Sequence, residues 1–505
     1  MKMINKHSIV IALTFWSFLV LFVMSPDSPI HGPWMRTDSA CFYMAGKAWM
    51  NGLTPYVDFS DSKGPLLWLI YGISYLISPG SYWGIYIISA IFYTITFYYN
   101  FKIANIFLHN KQYALAITLL MTLAYFGFDF HFEIRVEDFA TSFLSIALYQ
   151  LFIIIYSGDN NNASCRLTLI GCCFTAALLM KFSIAIMFGI IILLALWYYI
   201  YEQKQFIIPL SLIIGGGIGL ALPFFIYLAL VGAFFPFVNE YFLTTVSTAD
   251  ALISHWGGDL GTWTKTIVLH KIILLGDKLW VLILLGGGLL GYQLSHYKWV
   301  PILIGFSFYF LSSYHFGGYY YYGICCVFII YLLIALFQMF KPTISRKYIC
   351  VFLLFSMAWG IYENRYGRLT DYVIWHDSGD KTDYGNISAI ISERKKPMVL
   401  YYKLLDYGFG LENVPLPVGK YWMCQNGYTQ KMEDEQKKLL YTSKADFIIM
   451  NKLSINKDFT IAQLEKMSYH KCYVCTYYVG GDVVDLVLFK KIHNKALSNN
   501  RHTRK

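Results

Sequence analysis

The sequence predicts a polytopic α-helical membrane protein with about eleven transmembrane helices, followed by a small soluble α/β domain. Of the 505 residues, 57% are hydrophobic and only 14% are charged, whereas soluble domains average roughly 25% charged residues. The charges are also unevenly placed, because 38 of the 70 lie in residues 363–505. We therefore expect a membrane domain over residues 1–362 and an α/β domain over residues 363–505.

The first predicted span is an uncleaved signal anchor. Lys2 and Lys6 precede an apolar run from Ile9 to Met24. It is followed by Ser25-Pro26-Asp27-Ser28-Pro29 and not by a small-x-small cleavage site. Further apolar runs predict the other spans, over residues 82–100, 113–129, 139–156, 167–180, 184–200, 207–230, 273–294, 300–313, 321–340 and 347–362.

Basic residues between the spans predict the orientation. They fall on alternate connections, which the positive-inside rule assigns to the cytoplasm together with the N-terminus. These residues are Lys102, Lys111, Arg166, Lys204, Lys298, Lys341, Arg346 and Lys347. Eleven spans then place the C-terminal domain outside. We attribute the net charge of +10 to basic residues in cytoplasmic loops and in the exposed C-terminal part of the chain. It does not indicate a nucleic-acid partner, since no RNA- or DNA-binding motif accompanies it.

Two regions outside the spans have recognisable secondary structure. The long first outer segment, residues 25–81, predicts an amphipathic interfacial helix over Asp38–Asn51 and a re-entrant or interfacial helix over Leu66–Ile77. In the tail, alternating patterns predict strands and helices. The strands are Met398–Tyr402, Phe447–Met450 and Val483–Phe489, and the helices are Asp383–Arg394 and Thr429–Thr442.

Charged residues cluster in the first two outer loops. The first loop contains Asp38 and Lys63, and the second has Arg135, Glu137 and Asp138 just before an apolar helix. Ionisable groups so close to a membrane are costly and usually serve a site. A carboxylate there can accept a proton from a hydroxyl, and the cations can hold a phosphate. A sugar carried on a lipid phosphate fits this set, because its tail stays in the bilayer while its head reaches the loops.

These loops contain a specific pattern. Residues 52–65 read G-x-x-P-Y-x-D-x-x-D-x-K-G-P, and residues 135–138 read R-x-E-D. With the first-loop acid, this pattern resembles membrane glycosyltransferases of the GT-C class. The nearest groups are the protein O-mannosyltransferases and the lipid A aminoarabinose transferases, with their family-39-like bacterial members. The resemblance covers roughly residues 1–360 and implies a GT-C-like fold.

The resemblance also implies roles for single residues. Asp38 matches the catalytic acid of the first loop, and Lys63 matches the lysine near the donor phosphate. Either Glu137 or Asp138 matches the acid of the second loop, and the sequence does not choose between them. Further donor-phosphate or substrate-binding candidates are Tyr56, Asp61, Arg135, Lys181 and His315.

The predicted function is therefore glycosyl transfer at the outer face of a bacterial plasma (inner) membrane. The donor is a hexose or pentose on a polyprenyl phosphate, and the acceptor is a glycan, lipid or protein of the cell envelope. No cofactor or metal site is expected, because lysine and arginine can hold a monophosphate leaving group; a divalent metal is the alternative for a diphosphate donor. Two other functions stay open: an O-antigen-type polymerase or ligase, and a lipid-linked sugar transporter.

Overall fold

The computed structural model of the chain is mainly helical. It describes residues 6–25, 28–29, 37–126, 134–157, 162–244, 279–313, 319–341, 354, 381–402, 416–422, 430–442, 445–452, 454–455, 459–479 and 482–492.

The first three helices are α1 (Lys6–Met24), α2 (Thr37–Met50) and α3 (Pro65–Ile77). Proline stands at the first position of α3, where the N–H that proline lacks would make no hydrogen bond within the helix. Helix α2 packs against α3 and is buried along most of its length. It therefore differs from the amphipathic surface helix that we expected, because successive residues on all its faces, from Ala40 to Ala45, are inside the protein.

The helices that follow complete the helical part of the chain up to Phe340. They are α4 (Trp83–Leu108), α5 (Lys111–Phe126), α6 (Val136–Phe152, continued by a π-helical turn Ile153–Ser157), α7 (Ala163–Met180), α8 (Phe182–Tyr201), α9 (Ile207–Leu230), α10 (Phe234–Phe237, continued by Val238–Leu243), α11 (Leu279–Gln293), α12 (Val300–Ser313), a 3-10 helix (Tyr319–Phe328) and α13 (Ile329–Phe340).

Within the described residues, six helices are long and apolar enough to cross a membrane. They are His7–Met24, Val136–Ser157, Ala163–Met180, Phe182–Tyr201, Ile207–Leu230 and Gly323–Phe340. The prediction of a polytopic helical membrane protein is confirmed. The number of eleven spans stays a prediction, and apart from residue 354 the span over 347–362 lies outside the described residues.

Two predicted spans have different boundaries in the structure. Helix α4 continues beyond the expected end at residue 100, because its polar residues are accommodated inside the bundle. Asn100 donates to the Tyr125 hydroxyl (3.0 Å), and the Lys102 ammonium lies 3.8 Å from the centroid of the Tyr149 ring. Helix α6 begins at Val136, so that Glu137 and Asp138 lie in its first turn.

Several helix ends meet at one end of the bundle, which we call the mouth. The Gly64 N–H before α3 donates to the Met180 carbonyl at the end of α7 (2.9 Å). The Tyr241 hydroxyl, after α10, donates to the neighbouring Leu178 carbonyl (2.5 Å). The Tyr71 hydroxyl of α3 donates to the Ile134 carbonyl just before α6 (2.7 Å). The mouth is therefore built from segments far apart in the chain.

The C-terminal residues form a four-stranded mixed sheet with three described helices. The elements are α14 (Lys381–Ser392), β1 (Val399–Tyr402), α15 (Gln430–Tyr441), β2 (Phe447–Asn451), α16 (Ile461–Lys466), β3 (Tyr469–Val479) and β4 (Asp482–Lys491). The strand order is β1-β2-β4-β3, with β1 parallel to β2 and the other pairs antiparallel. The predicted strands and helices of this α/β domain all occur here, while its boundary at residue 363 stays a prediction.

Candidate active site

The first loop of the mouth, residues 53–64, is held in a tight turn. Tyr56 has a left-handed backbone (φ 66°), and its N–H donates to the Phe59 carbonyl (2.7 Å). The Tyr56 ring is fully buried against Trp68, and its hydroxyl donates to the Lys63 carbonyl (2.9 Å). Burial raises the pKa of Tyr56 well above its ordinary value, so the phenol keeps the proton that it donates. Tyr56 thus fixes the backbone of Lys63 rather than offering a free hydroxyl.

Lys63 is buried beside the end of α7. The next residue must be glycine, because a Cβ on Gly64 would lie 2.1 Å from the Leu179 carbonyl oxygen. The Lys63 side chain is 7% exposed, and its ammonium lies 3.6 Å from the Asp61 carboxylate. It also lies 5.5 Å from the centroid of the Phe42 ring on α2. The structure therefore brings Lys63 and Asp61 together, as a desolvated pair at the mouth.

Lys181 occupies the break between α7 and α8. Its backbone is extended (φ −160°, ψ 112°), so the helix ends at Met180 and restarts at Phe182. The Lys181 ammonium lies 2.9 Å from the Glu137 carboxylate of α6. Both side chains are largely buried. A second cation therefore lies beside the chain segment that contacts Gly64.

Asp38 and Arg135 face each other across the two loops. Asp38 lies in the first turn of α2, and its carboxylate is 3.8 Å from Arg135 Nε. Hydrogen bonds hold the loops in place, since the Ser39 hydroxyl donates to the Ile134 carbonyl (2.9 Å). Asp38 precedes Phe42 by four residues on α2, so the two side chains share a helix face. Because the Phe42 ring contacts the Lys63 ammonium, Asp38 also lies on the side of α2 that faces Lys63.

Asp138 and Glu137 have different surroundings. One Asp138 oxygen accepts from the Arg135 N–H at the start of α6 (2.9 Å), and the other accepts from the Tyr93 hydroxyl (2.7 Å). Asp138 is thus a helix-capping residue. Glu137 instead meets Lys181. This geometry favours Glu137 as the functional acid of the second loop.

We expect Glu137→Gln to reduce turnover by about 10²-fold, because Lys181 loses the carboxylate that positions it beside Gly64. This variant should also lower the melting temperature, because the largely buried ammonium loses its ion pair.

The matched change Asp138→Asn should lower the melting temperature by a smaller amount and retain most of the turnover. A single asparagine oxygen cannot accept from both the Arg135 N–H and the Tyr93 hydroxyl, and one lost hydrogen bond costs about 1 kcal/mol. Turnover in membranes and thermal unfolding in detergent measure the two effects. A folded but inactive Asp138→Asn protein, with an active Glu137→Gln protein, would reverse the assignment.

His315 lies outside the described residues, and its proposed contact with substrate stays a prediction. Tyr319 to Tyr322 begin a 3-10 helix, whose first side chains the structure does not describe. In the part of the chain that is described, no group of three or more His, Cys, Asp or Glu side chains could hold a metal ion.

Sequence reasoning missed Glu240. This residue lies just after α10, is 4% exposed, and meets Lys420 and Tyr421 of the C-terminal domain. A signal was present, because Glu240 is a lone carboxylate between aromatic residues in the stretch Phe234–Phe242. Its partners lie some 180 residues away in sequence and could not be inferred from that stretch.

Comparisons with known proteins address the same regions. Residues 62–229 match the family model described as dolichyl-phosphate-mannose-protein mannosyltransferase. The crystal structure of ArnT from Cupriavidus metallidurans in the apo state matches with a TM-score of 0.57 and 12% identity, over 96% of this chain and 97% of that one. The chain has the GT-C fold. The resemblance inferred from the loop motifs is therefore confirmed at the level of the GT-C class.

A second solved GT-C structure also matches. ArnT from the same organism, bound to undecaprenyl phosphate, gives a TM-score of 0.51 at 12% identity, over 96% of this chain and 98% of that one. The family model includes Lys63, Arg135, Glu137 and Lys181, whereas Asp38 lies before its first matched residue. No curated protein is significantly similar to the chain by sequence.

Proposed function

We propose that this GT-C protein transfers a sugar from a polyprenyl-phosphate carrier to a hydroxyl of a cell-envelope acceptor. The reaction takes place at the outer face of a bacterial plasma membrane, with the N-terminus in the cytoplasm and the C-terminal domain outside. The observation that carries the proposal is the meeting of Asp38, Lys63, Arg135, Glu137 and Lys181 at one end of an apolar helical bundle.

The charges and their surroundings support a lipid-linked donor. Lys63 and Lys181 are largely buried beside membrane helices, where a phosphate on an apolar tail can reach them while the tail stays in lipid. Arginine binds a phosphate through two parallel N–H hydrogen bonds, and lysine interacts with it as a point charge. The likeness to an ArnT structure with bound undecaprenyl phosphate supports the same carrier class.

We assign residues of the mouth to the steps of the proposed reaction. Asp38 accepts the proton of the acceptor hydroxyl as its oxygen bonds to the anomeric carbon of the sugar. The bond between that carbon and the phosphate oxygen breaks, and the electron pair leaves with the polyprenyl phosphate. Lys63 and Arg135 stabilise the charge that develops on this oxygen. Glu137 orients Lys181, whose backbone adjoins Gly64.

We also propose that the reaction needs no divalent metal, because Lys63, Arg135 and Lys181 place three positive charges at the mouth that can stabilise a monophosphate. Turnover of a polyprenyl-monophosphate sugar should therefore be unchanged after EDTA treatment. The measurement compares treated protein with treated protein resupplied with Mg²⁺ or Mn²⁺. A loss of turnover that either ion restores would contradict the metal-free mechanism.

The proposed activity is tested with purified protein in vesicles that contain a polyprenyl-phosphate donor labelled in the sugar and a mixture of envelope acceptors. Covalent label on an acceptor is the expected result. Movement of intact donor between the leaflets without new bonds would indicate a transporter. Transfer from a diphosphate-linked oligosaccharide alone would indicate a polymerase or ligase.

A further inference from the structure

Glu240 joins three segments of the chain at the mouth. One of its carboxylate oxygens accepts from the Lys420 ammonium (2.9 Å) and from the Tyr421 hydroxyl (3.0 Å). The other accepts from the Ser60 hydroxyl of the first loop (3.4 Å). Because Glu240 is almost completely buried, these contacts compensate for the loss of its hydration.

The segment that supplies Lys420, residues 416–422, is fastened to the α/β domain. The Val418 N–H donates to the Val399 carbonyl of β1 (2.8 Å), and the Gln436 side chain of α15 donates to the Tyr421 carbonyl (2.7 Å). Gly419 makes the turn, with φ +95°, a backbone conformation that favours glycine. The α/β domain therefore presents Lys420 and Tyr421 on a fixed support.

The same segment also holds the first loop. The Ser60 N–H donates to the Lys420 carbonyl (3.0 Å), and the Phe59 ring packs against Trp422 with 6.2 Å between centroids. Phe59 accepts the hydrogen bond that closes the turn at Tyr56, and Tyr56 in turn holds the Lys63 carbonyl. An unbroken set of contacts thus runs from the α/β domain to Lys63.

We propose that Glu240 and Lys420 form an interdomain clamp that positions Lys63 for the donor phosphate. The clamp residues do not touch the reacting atoms; they are positioning residues. The proposal rests on the proposed function in assigning the donor phosphate to Lys63. It gives the C-terminal domain a specific task, which is to hold the first loop against the membrane domain.

The test uses full-length Lys420→Met and Glu240→Gln proteins with two readouts. Hydrogen–deuterium exchange of residues 54–64 should become at least tenfold faster in Lys420→Met. Without the ion pair to Glu240, residues 416–422 no longer hold this loop in place. The donor KM should rise about tenfold as Lys63 loses its fixed position. A merely structural effect would reduce the folded fraction, lowering kcat while leaving the donor KM unchanged. Lys420→Arg, which keeps the charge, should restore much of the wild-type KM.

Two further variants sharpen the test. Lys452→Met breaks an exposed ion pair with Asp485 in the same domain and should change neither readout. The double variant Glu240→Gln/Lys420→Met should be less impaired than the product of the single effects, because it leaves no buried charge unpaired.

Unchanged exchange over residues 54–64 and an unchanged donor KM in Lys420→Met would overturn the clamp. Absence of turnover by the wild-type protein would instead overturn the proposed function. The clamp would still be tested in that case, because exchange and undecaprenyl phosphate affinity require no turnover. Faster exchange of residues 54–64 in Lys420→Met, with wild-type affinity for undecaprenyl phosphate, would show that the clamp does not position Lys63.

Discussion

The Asp38→Asn protein is expected to fold normally and to transfer sugar at least about 10³-fold more slowly than wild type. Asparagine keeps the size of aspartate but cannot accept the proton of the acceptor hydroxyl, and general base catalysis typically contributes 10²–10⁴-fold. The carboxylate is about a quarter exposed, at 27%, so its loss should have little effect on stability. The measurement is the rate of acceptor labelling at saturating donor.

Asp58→Asn provides the matched control for Asp38→Asn. Asp58 is an exposed acid of the same outer segment, residues 25–81. Its carboxylate accepts from the Thr54 N–H (2.7 Å), and an asparagine oxygen can do the same. Turnover in this variant should stay close to wild type. Normal turnover in folded Asp38→Asn protein would exclude Asp38 as the base and move the search to Glu137.

The second large effect is expected from Lys63→Met. Methionine has a similar length and can occupy the buried site, but it removes the charge that we assign to the donor phosphate. Loss of one preorganised charge contact at a leaving group costs about 10²–10³-fold in rate. We expect kcat/KM for the donor to fall by this factor. Inhibition by undecaprenyl phosphate should weaken as well, because product and donor share the phosphate.

Lys102→Met serves as the control for Lys63→Met. Lys102 lies further along α4 than Tyr93, away from the mouth. Its ammonium contacts the Tyr149 ring there. Its replacement can affect stability, but it should leave the donor KM unchanged. Equal losses of kcat/KM in the two variants would show that Lys63 acts through folding. Wild-type inhibition by undecaprenyl phosphate in Lys63→Met would remove Lys63 from the phosphate site.

Much of the mouth could be predicted because short motifs determine local geometry. Lys63-Gly64-Pro65 is an example, since glycine permits the contact with Leu179 and proline starts α3. The predicted spans 167–180 and 184–200 likewise left Lys181 between two helices, where the structure has the helix break. In both cases the physical reason lies within a few residues of the motif.

Other features depend on partners that are distant in sequence. Glu137 and Asp138 are neighbours with the same charge, and only the structure shows that one meets Lys181 while the other caps α6. The length of α4 was misjudged for a related reason, because the partner of Asn100 is supplied by another helix. The role of Glu240 depends on a separate domain.

We infer that the mouth binds a sugar on a polyprenyl monophosphate. The most direct test is the release of polyprenyl phosphate from radiolabelled polyprenyl-phospho-sugars by wild-type protein in membranes that supply their native acceptors. We expect release that depends on the acceptor and is absent with Asp38→Asn. No release from any monophosphate donor by folded protein, together with release from a diphosphate-linked donor, would contradict it.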